Sequence, residues 1–401
     1  MKILIIDEEF PYPLNTGKRI RSHHLASGLA QRHQVSYLAY GDPESDGCRH
    51  AVENGLQPVP VPRRPIARSG PRFYAGLGLN LLSKYPYNVD AHYSDIYRQR
   101  LGRCLDEFHP DVLLCEWTPY ARFCLDLTNV PRVVVAHNIE ARIWQRYAEN
   151  ESNPVKRWYM ARQGAKMERF ESEVFRRFEG ATAVSDGDAA SIRAINPRLK
   201  VEVVDNGVDL EYFLPAETGP GSAPPKVVFT GSMDWRPNQD AVRYFVEKIL
   251  PALRVEIPEI QVLFVGRNPS ADLLRMGKTP GVTVTGTVDD VRPYISSAAV
   301  YIVPLRIGGG SRLKILEALA MAKPVVSTPV GAEGLEVVDN EHLVLAESPS
   351  EWARALVRLF RTPDERARLG SAGRALVERR YSWPQMVGKL ELFLESVMAA
   401  R

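Results

Sequence analysis

The stretch VYIVPLRIGGGSRLKILEALAMAKPVVST, residues 300–328, predicts the fold of the region around it. It begins with the apolar run VYIVPL, passes through three consecutive glycines, continues as the helical pattern RLKILEALAMA and ends in the apolar run PVVST. A buried strand, a loop, a helix and a second buried strand are the parts of a βαβ unit, in which the two strands are parallel. The stretch therefore indicates an α/β domain with a parallel sheet.

The same alternation of short apolar runs and helical patterns recurs along the chain. The runs are KILIID, QVSYLAY, DVLLCEW, RVVVAHN and GATAVSD in the first half, and VVFTGS, QVLFVGR and VTVTGTV in the second. Continuous apolar runs are typical of parallel strands that are covered on both faces. The alternation breaks at LPAETGPGSAPPK, residues 214–226, where four prolines and two glycines predict a linker.

Two Rossmann-like domains are therefore expected, one over residues 1–213 and the other over 227–384. Ligands of such sheets bind beyond the carboxyl ends of the strands. We expect the functional site in a cleft between the two domains.

The composition is typical of a soluble globular protein. The chain has 401 residues, 45% of them hydrophobic and 25% charged, with a formal net charge of +3. So small a charge does not indicate a nucleic-acid partner. The four cysteines lack CxxC spacing, the first apolar run is too short for an export signal, and no run of 18 apolar residues exists. We expect a cytoplasmic protein with reduced thiols.

Three glycines, Gly308–Gly310, lead into a helix that the pattern predicts to begin after an N-cap at Ser311. The first turn of a helix offers unpaired N–H groups, and glycines let the backbone approach a ligand closely. Arg312 and Lys314 add two positive charges that the helix dipole disfavours, so a bound anion would resolve the conflict. We expect a diphosphate there; the alternative is a flexible glycine loop before a solvated helix.

Glu317 lies one helical turn after Lys314, on the same side of the predicted helix. A carboxylate there can accept hydrogen bonds from the two adjacent hydroxyls of a ribose. The spacing fits an i,i+3 ion pair with Lys314 equally well. Spacing alone therefore leaves both roles open.

Several stretches resemble glycosyltransferase family 4, whose members are retaining enzymes with the GT-B fold. The family's nucleotide-binding segment is similar to IVPLRIGGGSRLKILEALAMAKPVVST, and its interdomain segment is similar to NGVDLEYF, residues 206–213. Its first donor-domain strand and helix are similar to VVFTGSMDWRPNQDAVRYFVEKILPALR, and its final helix to YSWPQMVGKLELFL. The motifs GSMDWRPN and GGGSRLK resemble those of a subgroup associated with bacterial exopolysaccharide sugar transferases.

The resemblance implies two Rossmann-like domains facing a cleft, with residues 385–401 crossing back to complete the N-terminal, acceptor-binding domain. It implies transfer of a sugar from a UDP- or GDP-linked donor to a glycan or lipid-linked acceptor, with retention at the anomeric carbon. The cations Arg312 and Lys314 would stabilise the leaving diphosphate, so neither a metal nor another cofactor is expected. Two rivals stay open: a sugar-nucleotide epimerase, and a non-catalytic partner subunit that keeps the fold.

The chain departs from the family pattern in the glycine loop. The family carries two glutamates with seven residues between them, and with Glu317 as the second, the first falls on Gly309. That carboxylate normally lies near the donor sugar. We assign Gly309, Gly310 and Ser311 to donor binding through their backbone.

A second departure follows the first donor-domain strand. The family's arginine and lysine at this place brace the diphosphate, and they fall here on Ser232 and Pro237, with Arg236 beside them. We expect Arg312 and Lys314, together with Arg236, to replace that pair. Ser232 stays assigned to donor binding.

Three further assignments come from the resemblance. Gly17, in TGKRIRSHH, matches the glycine of the family's first loop and is assigned to donor binding, since it lets the backbone approach the donor phosphate or the acceptor; a simple turn is the alternative. His137 stands where the run RVVVA stops, and the family places a functional histidine after a strand of this domain; a hydrogen-bonding role within the loop is the alternative. Gly286 lies where backbone groups are expected to recognise the nucleotide base.

Residues 57–105 form a basic region with an apolar centre. It holds eight basic residues and two acidic ones, and FYAGLGLNLLS lies between Arg72 and Lys84. Such a segment can rest on anionic lipid at the inner face of the membrane, near a lipid-linked acceptor. The alternative is a solvated loop and a helix packed on its own domain.

Overall fold

A computed structural model describes residues 1–62, 69–149, 151–215, 225–307 and 313–399 of the chain. The chain forms two compact units. Residues Met1–Asp205 and Met386–Arg401 form the first, called here the N-terminal unit, and Asn206–Gln385 form the second, called the C-terminal unit.

The N-terminal unit is built on a parallel sheet. Its strands are β1 (Lys2–Glu9), β2 (Gln34–Tyr40), β3 (Gln57–Val61), β4 (Val112–Cys115), β5 (Arg132–Ala136), β6 (Gly180–Ala183) and β7 (Lys200–Val203). Within the described residues, these seven strands lie in the order β3-β2-β1-β4-β5-β6-β7. Every residue of β4, β5 and β6 is buried, as expected for strands covered on both faces. The five strands predicted in this half are therefore confirmed.

Helices cover this sheet. They are α1 (Gly17–Ala30), α2 (Asp46–Glu53), α3 (Gly70–Asn80), α4 (Tyr87–His92), α5 (Asp95–Phe108), α6 (Glu140–Glu149), α7 (Pro154–Arg177) and α8 (Asp186–Ile195), with a 3-10 turn at Thr118–Phe123. The first helix starts where it does because the side chain of Thr16 accepts a hydrogen bond from the Arg19 N–H. It buries Leu25 and Leu29 against the unit.

The C-terminal unit repeats this plan. Its strands are β8 (Lys226–Thr230), β9 (Gln261–Val265), β10 (Val282–Val284), β11 (Val300–Val303), β12 (Val325–Ser327) and β13 (Val344–Leu345). Among the residues described, these six parallel strands lie in the order β10-β9-β8-β11-β12-β13, the Rossmann order. The predicted βαβ unit around the glycines is present, since β11 pairs with β12 in parallel.

The remaining helices belong to this half or to the end of the chain. They are α9 (Arg236–Tyr244), α10 (Leu250–Glu256), α11 (Ala271–Met276), α12 (Arg292–Ser297), α13 (Leu313–Ala320), α14 (Pro329–Ala332), α15 (Pro349–Arg361), α16 (Pro363–Arg380) and α17 (Trp383–Met398). A π-helical turn, Phe245–Ile249, joins α9 to α10. Because Pro251 has no N–H to donate, the regular hydrogen-bond ladder is interrupted there.

The division between the units falls after Asp205, before the predicted boundary at residue 213. The Val208 N–H donates to the Tyr381 carbonyl at 2.7 Å, and the Arg374 guanidinium donates to the Phe213 carbonyl at 2.9 Å. These contacts attach residues 206–213 to the C-terminal unit. Residues 216–224 of the predicted linker lie outside the described part of the chain.

From Met386 onward, α17 belongs to the N-terminal unit. It packs closely on α1, where a Cβ added to Gly28 would lie 2.4 Å from a Val387 methyl carbon. Nε2 of His33 lies 2.7 Å from a carboxylate oxygen of Glu391 on the same helix.

Candidate active site

The strand order of the C-terminal unit reverses between β8 and β11. The chain leaves β8 toward β9 on one side and leaves β11 toward β12 on the other. A crevice forms at the carboxyl ends of two such strands, and it is the usual ligand site of these sheets. The segment after β8 and the helix α13 after β11 meet at this place.

Lys314 from the first turn of α13 reaches the end of β8. Its Nζ donates to Oδ1 of Asn238 at 2.9 Å and lies 4.1 Å from the centre of the Phe229 ring. A Cβ added to Gly231 would lie 2.8 Å from this Nζ, so a side chain there would displace the lysine. The structure therefore places an ammonium group against bare backbone in the crevice.

Glu317 lies one turn further along α13. Burial raises the pKa of its carboxyl group to about 7, although the charge of Lys314 opposes the shift. Among the described residues, this carboxyl group has no hydrogen-bond or ion-pair partner. The i,i+3 ion pair between Lys314 and Glu317, which the spacing allowed, thus does not form, and Lys314 donates to Asn238 instead.

Other predicted donor residues lie around the same sheet edge. Ser232 follows β8, and its hydroxyl donates to Asp234 at 2.7 Å. Arg236 is exposed at the start of α9. Gly286 follows β10 with a φ of 77°, a left-handed conformation that suits glycine. Of the remaining donor assignments, Gly309, Gly310, Ser311 and Arg312 lie outside the described residues.

The sheet of the N-terminal unit reverses its order between β1 and β4. Gly17 is the first residue of α1, and Lys18 follows it. Nζ of Lys18 donates to Oδ1 of Asp7 at 2.6 Å, and the Tyr37 hydroxyl donates to Oδ2 at 2.7 Å. Burial opposes the charge of Lys18, but Asp7 and the neighbouring Glu8 outweigh it and raise the lysine pKa.

His137 lies one residue beyond the end of β5 and contacts Glu116, at the end of the neighbouring strand β4. Its Nε2 is 2.7 Å from the Glu116 carbonyl oxygen and 3.2 Å from a carboxylate oxygen of the same residue. Both neighbours are acceptors, so Nε2 donates to them, and Nδ1 has no hydrogen-bond partner among the described residues. Burial opposes ionisation of Glu116, but His137, Ser22 and Arg21 outweigh it and lower the carboxyl pKa.

Four residues of these two edges were not predicted: Lys18, Glu116, Asn238 and Arg267. Each had a partial signal in the sequence. Glu116 and Arg267 are the charged ends of the runs DVLLCEW and QVLFVGR, and Lys18 follows the predicted Gly17. For Asn238 the only signal was its position in GSMDWRPN, because it contacts Lys314, which lies 76 residues further along the chain.

Two kinds of feature are missing from the described residues. They contain no group of three or more His, Cys, Asp or Glu side chains arranged to hold a metal ion. The helices in those ranges are all too short or too polar to cross a membrane. The expectation that no metal is needed stays a prediction.

Two family models match the chain. Residues 16–207 match a model described as glycosyl transferase 4-like domain, and residues 224–362 match one described as glycosyl transferases group 1. The first lies almost entirely in the N-terminal unit and the second in the C-terminal unit.

Curated relatives are similar over part of their length. A GDP-mannose-dependent monoacylated alpha-(1-6)-phosphatidylinositol monomannoside mannosyltransferase from Corynebacterium glutamicum is 28% identical, over 49% of this chain and 56% of its own. A phosphatidyl-myo-inositol mannosyltransferase from Mycobacterium leprae is 34% identical, over 37% of this chain and 41% of its own. The chain thus spans about half the length of these relatives.

Solved structures match over the full length. A sucrose-phosphate synthase from Thermosynechococcus elongatus has a TM-score of 0.75 at 16% identity and covers 100% of both chains. Anabaena Alr3699/HepE in complex with UDP and glucose has a TM-score of 0.69 at 14% identity, over 99% of this chain and 100% of that one. At such identities, these matches establish the fold alone, and it is GT-B.

Proposed function

Because the chain belongs to the glycosyltransferases of the family 4 type, we propose that it transfers a sugar from a nucleoside-diphosphate sugar to a glycan or lipid-linked acceptor, with retention at the anomeric carbon. The observation that carries this proposal is the ammonium group of Lys314 against the bare backbone of Gly231, at the switch point of the C-terminal sheet. An exopolysaccharide or related glycan is the proposed product.

The donor binds the C-terminal unit in this proposal. Lys314 contacts the diphosphate as a point charge, with the loop glycines and Arg312 completing the phosphate site. Glu317 accepts hydrogen bonds from the ribose hydroxyls, since its carboxyl group has no partner of its own among the described residues. Backbone groups near Gly286 recognise the base.

Group transfer needs stabilisation of the leaving group. The bond between the anomeric carbon and the phosphate oxygen breaks, and the acceptor oxygen forms the new bond on the same face. The acceptor proton passes to the departing phosphate oxygen. Negative charge develops on the diphosphate, where Lys314 stabilises it. His137, held through Nε2 by Glu116, offers Nδ1 to a sugar hydroxyl and orients that hydroxyl. The proposed mechanism requires no metal.

The acceptor side of the proposal includes the membrane. The relatives quoted above are named for phosphatidylinositol acceptors. In the N-terminal unit, Tyr74 and Leu79 of α3 and the following Leu82 are 69%, 71% and 90% exposed. Asn80 between them is buried, and its side-chain oxygen accepts from Gln163 at 2.9 Å. A helix fixed at a polar residue while its apolar side chains stay in water suits an anionic bilayer surface.

Vesicle sedimentation tests this membrane contact. We expect the protein to bind vesicles that contain phosphatidylglycerol and to lose binding when Leu79 and Leu82 are both changed to Ser. Leu392→Ser, at an exposed leucine of α17, is the matched control. Equal binding of the double variant and the control would contradict the contact.

A thermal-shift panel of UDP, GDP, ADP and their sugar conjugates tests the donor site, without added metal and again with Mg²⁺. A ligand at ~100 times its dissociation constant adds ~2.7 kcal/mol of stability. We expect one diphosphate to raise the Tm and Lys314→Ala to abolish the rise. No shift with any nucleotide would contradict the proposal. Incubation of the donor without acceptor separates transfer from epimerisation, since an epimerase would convert the donor alone.

A further inference from the structure

The ends of β8 and β9 continue side by side beyond the strands. The Gly231 N–H donates to the Val265 carbonyl at 2.9 Å, and the Met233 N–H donates to the Arg267 carbonyl at 2.8 Å. The two segments approach so closely that a Cβ added to Gly266 would lie 1.7 Å from the Gly231 carbonyl oxygen. Only a glycine fits there, and it brings Arg267 alongside Ser232.

The side chain of Arg267 is held at one nitrogen. Its Nε donates to the Ser232 hydroxyl at 2.9 Å. In the described part of the chain, neither of its two Nη groups has a hydrogen-bond partner. The nearby Asp234 accepts from the Ser232 hydroxyl at 2.7 Å and from the Asn268 amide at 3.1 Å. The Nε hydrogen bond of the guanidinium thus goes to a neutral hydroxyl, while the Asp234 carboxylate interacts with Arg267 through charge without a hydrogen bond, and four N–H bonds remain to be used.

Arg267 and Lys314 are joined by a continuous chain of hydrogen bonds. The Asn238 amide nitrogen donates to the Ser232 carbonyl at 2.8 Å, and its amide oxygen accepts from Lys314 at 2.9 Å. The Ser232 hydroxyl therefore accepts from Arg267, and the Ser232 carbonyl is linked through Asn238 to Lys314. Two cations, Arg267 after β9 and Lys314 in α13, thus lie beside Gly231 and Ser232.

We propose that Arg267 is a second diphosphate-binding residue of the donor site, oriented by Ser232. The inference rests on the proposed function. A guanidinium fixed through Nε presents its two Nη groups in the fork that matches two phosphate oxygens, whereas Lys314 acts as a single point charge. The pair would hold both phosphates of a nucleoside diphosphate.

Calorimetric titration with UDP and GDP, and with uridine and guanosine, tests this assignment. A charge-assisted hydrogen bond is worth about 1.5–3 kcal/mol, so we expect Arg267→Ala to weaken binding of the preferred diphosphate by about 10- to 100-fold. Binding of the matching nucleoside should not change. Arg267→Lys should recover only part of the loss, because a lysine cannot supply the fork. Ser232→Ala, which keeps the charge and removes its anchor, should give a smaller loss than Arg267→Ala.

Arg275→Ala is the control. Arg275 is an exposed arginine of the same unit that pairs with Asp272, and the variant should bind like the wild type. Diphosphate affinity of Arg267→Ala within twofold of the wild type would overturn the assignment while leaving the proposed function intact. An equal loss for diphosphate and nucleoside would also overturn it. Failure of the wild type to bind any nucleotide would overturn both proposals.

Discussion

Lys18 and Lys314 lie at the switch points of two similar sheets, yet they have different partners. Lys18 donates to the buried carboxylate of Asp7 at 2.6 Å, whereas Lys314 donates to the neutral amide oxygen of Asn238 at 2.9 Å. A carboxylate cancels the charge of its lysine, while an amide holds a lysine in place without cancelling its charge. The N-terminal edge therefore contains an internal ion pair, whereas the C-terminal edge is the one for which we propose anion binding.

The largest expected effect comes from breaking the pair in the N-terminal unit. Asp7→Ala would leave Lys18 with only the more distant Glu8 carboxylate, at 3.8 Å, and the Tyr37 hydroxyl without its acceptor. We expect a loss of about 2–4 kcal/mol in the free energy of unfolding, below the full value for a buried pair because 24% of the Lys18 side chain is exposed. Urea denaturation measures the loss.

Asp7→Asn sharpens the comparison, because it gives Lys18 the kind of partner that Lys314 has. The amide keeps an acceptor for Lys18, so this variant should lose less stability than Asp7→Ala. Equal losses in the two variants would show that charge, and not the acceptor, decides the stability of this edge.

A smaller effect is expected from Glu317, the acid near Lys314. Burial raises its pKa from 4.5 to about 7 in the folded chain. On raising the pH, the unfolded chain therefore loses this proton first, and the wild type loses stability between about pH 4.5 and 7. Glu317→Gln cannot ionise, so above pH 7 it should be more stable than the wild type by about 1–3 kcal/mol.

Urea midpoints at pH 4.5 and pH 8 measure this difference. The gap between Glu317→Gln and the wild type should be present at pH 8 and absent at pH 4.5. Glu259→Gln, at an exposed glutamate of the same unit, should show no such change. A gap that is the same at both pH values would mean that Glu317 ionises like a solvated acid.

The smallest effect is expected from Asn238→Asp, which converts the C-terminal edge to the N-terminal type. A carboxylate 2.9 Å from Lys314 would compete with the donor phosphates for its charge. We expect the affinity for the preferred diphosphate to fall about tenfold, that is by about 1.4 kcal/mol. Titration with UDP or GDP measures the change, and Asn238→Ser, which adds no charge, should lose less. Binding of Asn238→Asp as tight as that of the wild type would remove the contrast between the edges.

The strands that the sequence did not predict share a position. β3, β7 and β13 are all outermost strands of their sheets. β3 contains Pro58 and Pro60, which an edge strand tolerates because one side of it needs no backbone donors. β7, with the sequence KVEV, alternates polar and apolar residues and has no fully buried position. β3 and β7 therefore lack a continuous apolar run, whereas β10, which is also an outermost strand, was predicted from VTVTGTV.

The sequence by itself determined the parallel α/β class, the central strands and the cation-bearing helix after β11, because these follow from local periodicity and residue type. Only the tertiary structure decided which side chains meet. The contacts of Lys314 with Asn238, of Arg267 with Ser232 and of His137 with Glu116 join residues that are 76, 35 and 21 positions apart. They depend on the order of strands in a sheet, and apolar runs that look alike do not specify that order.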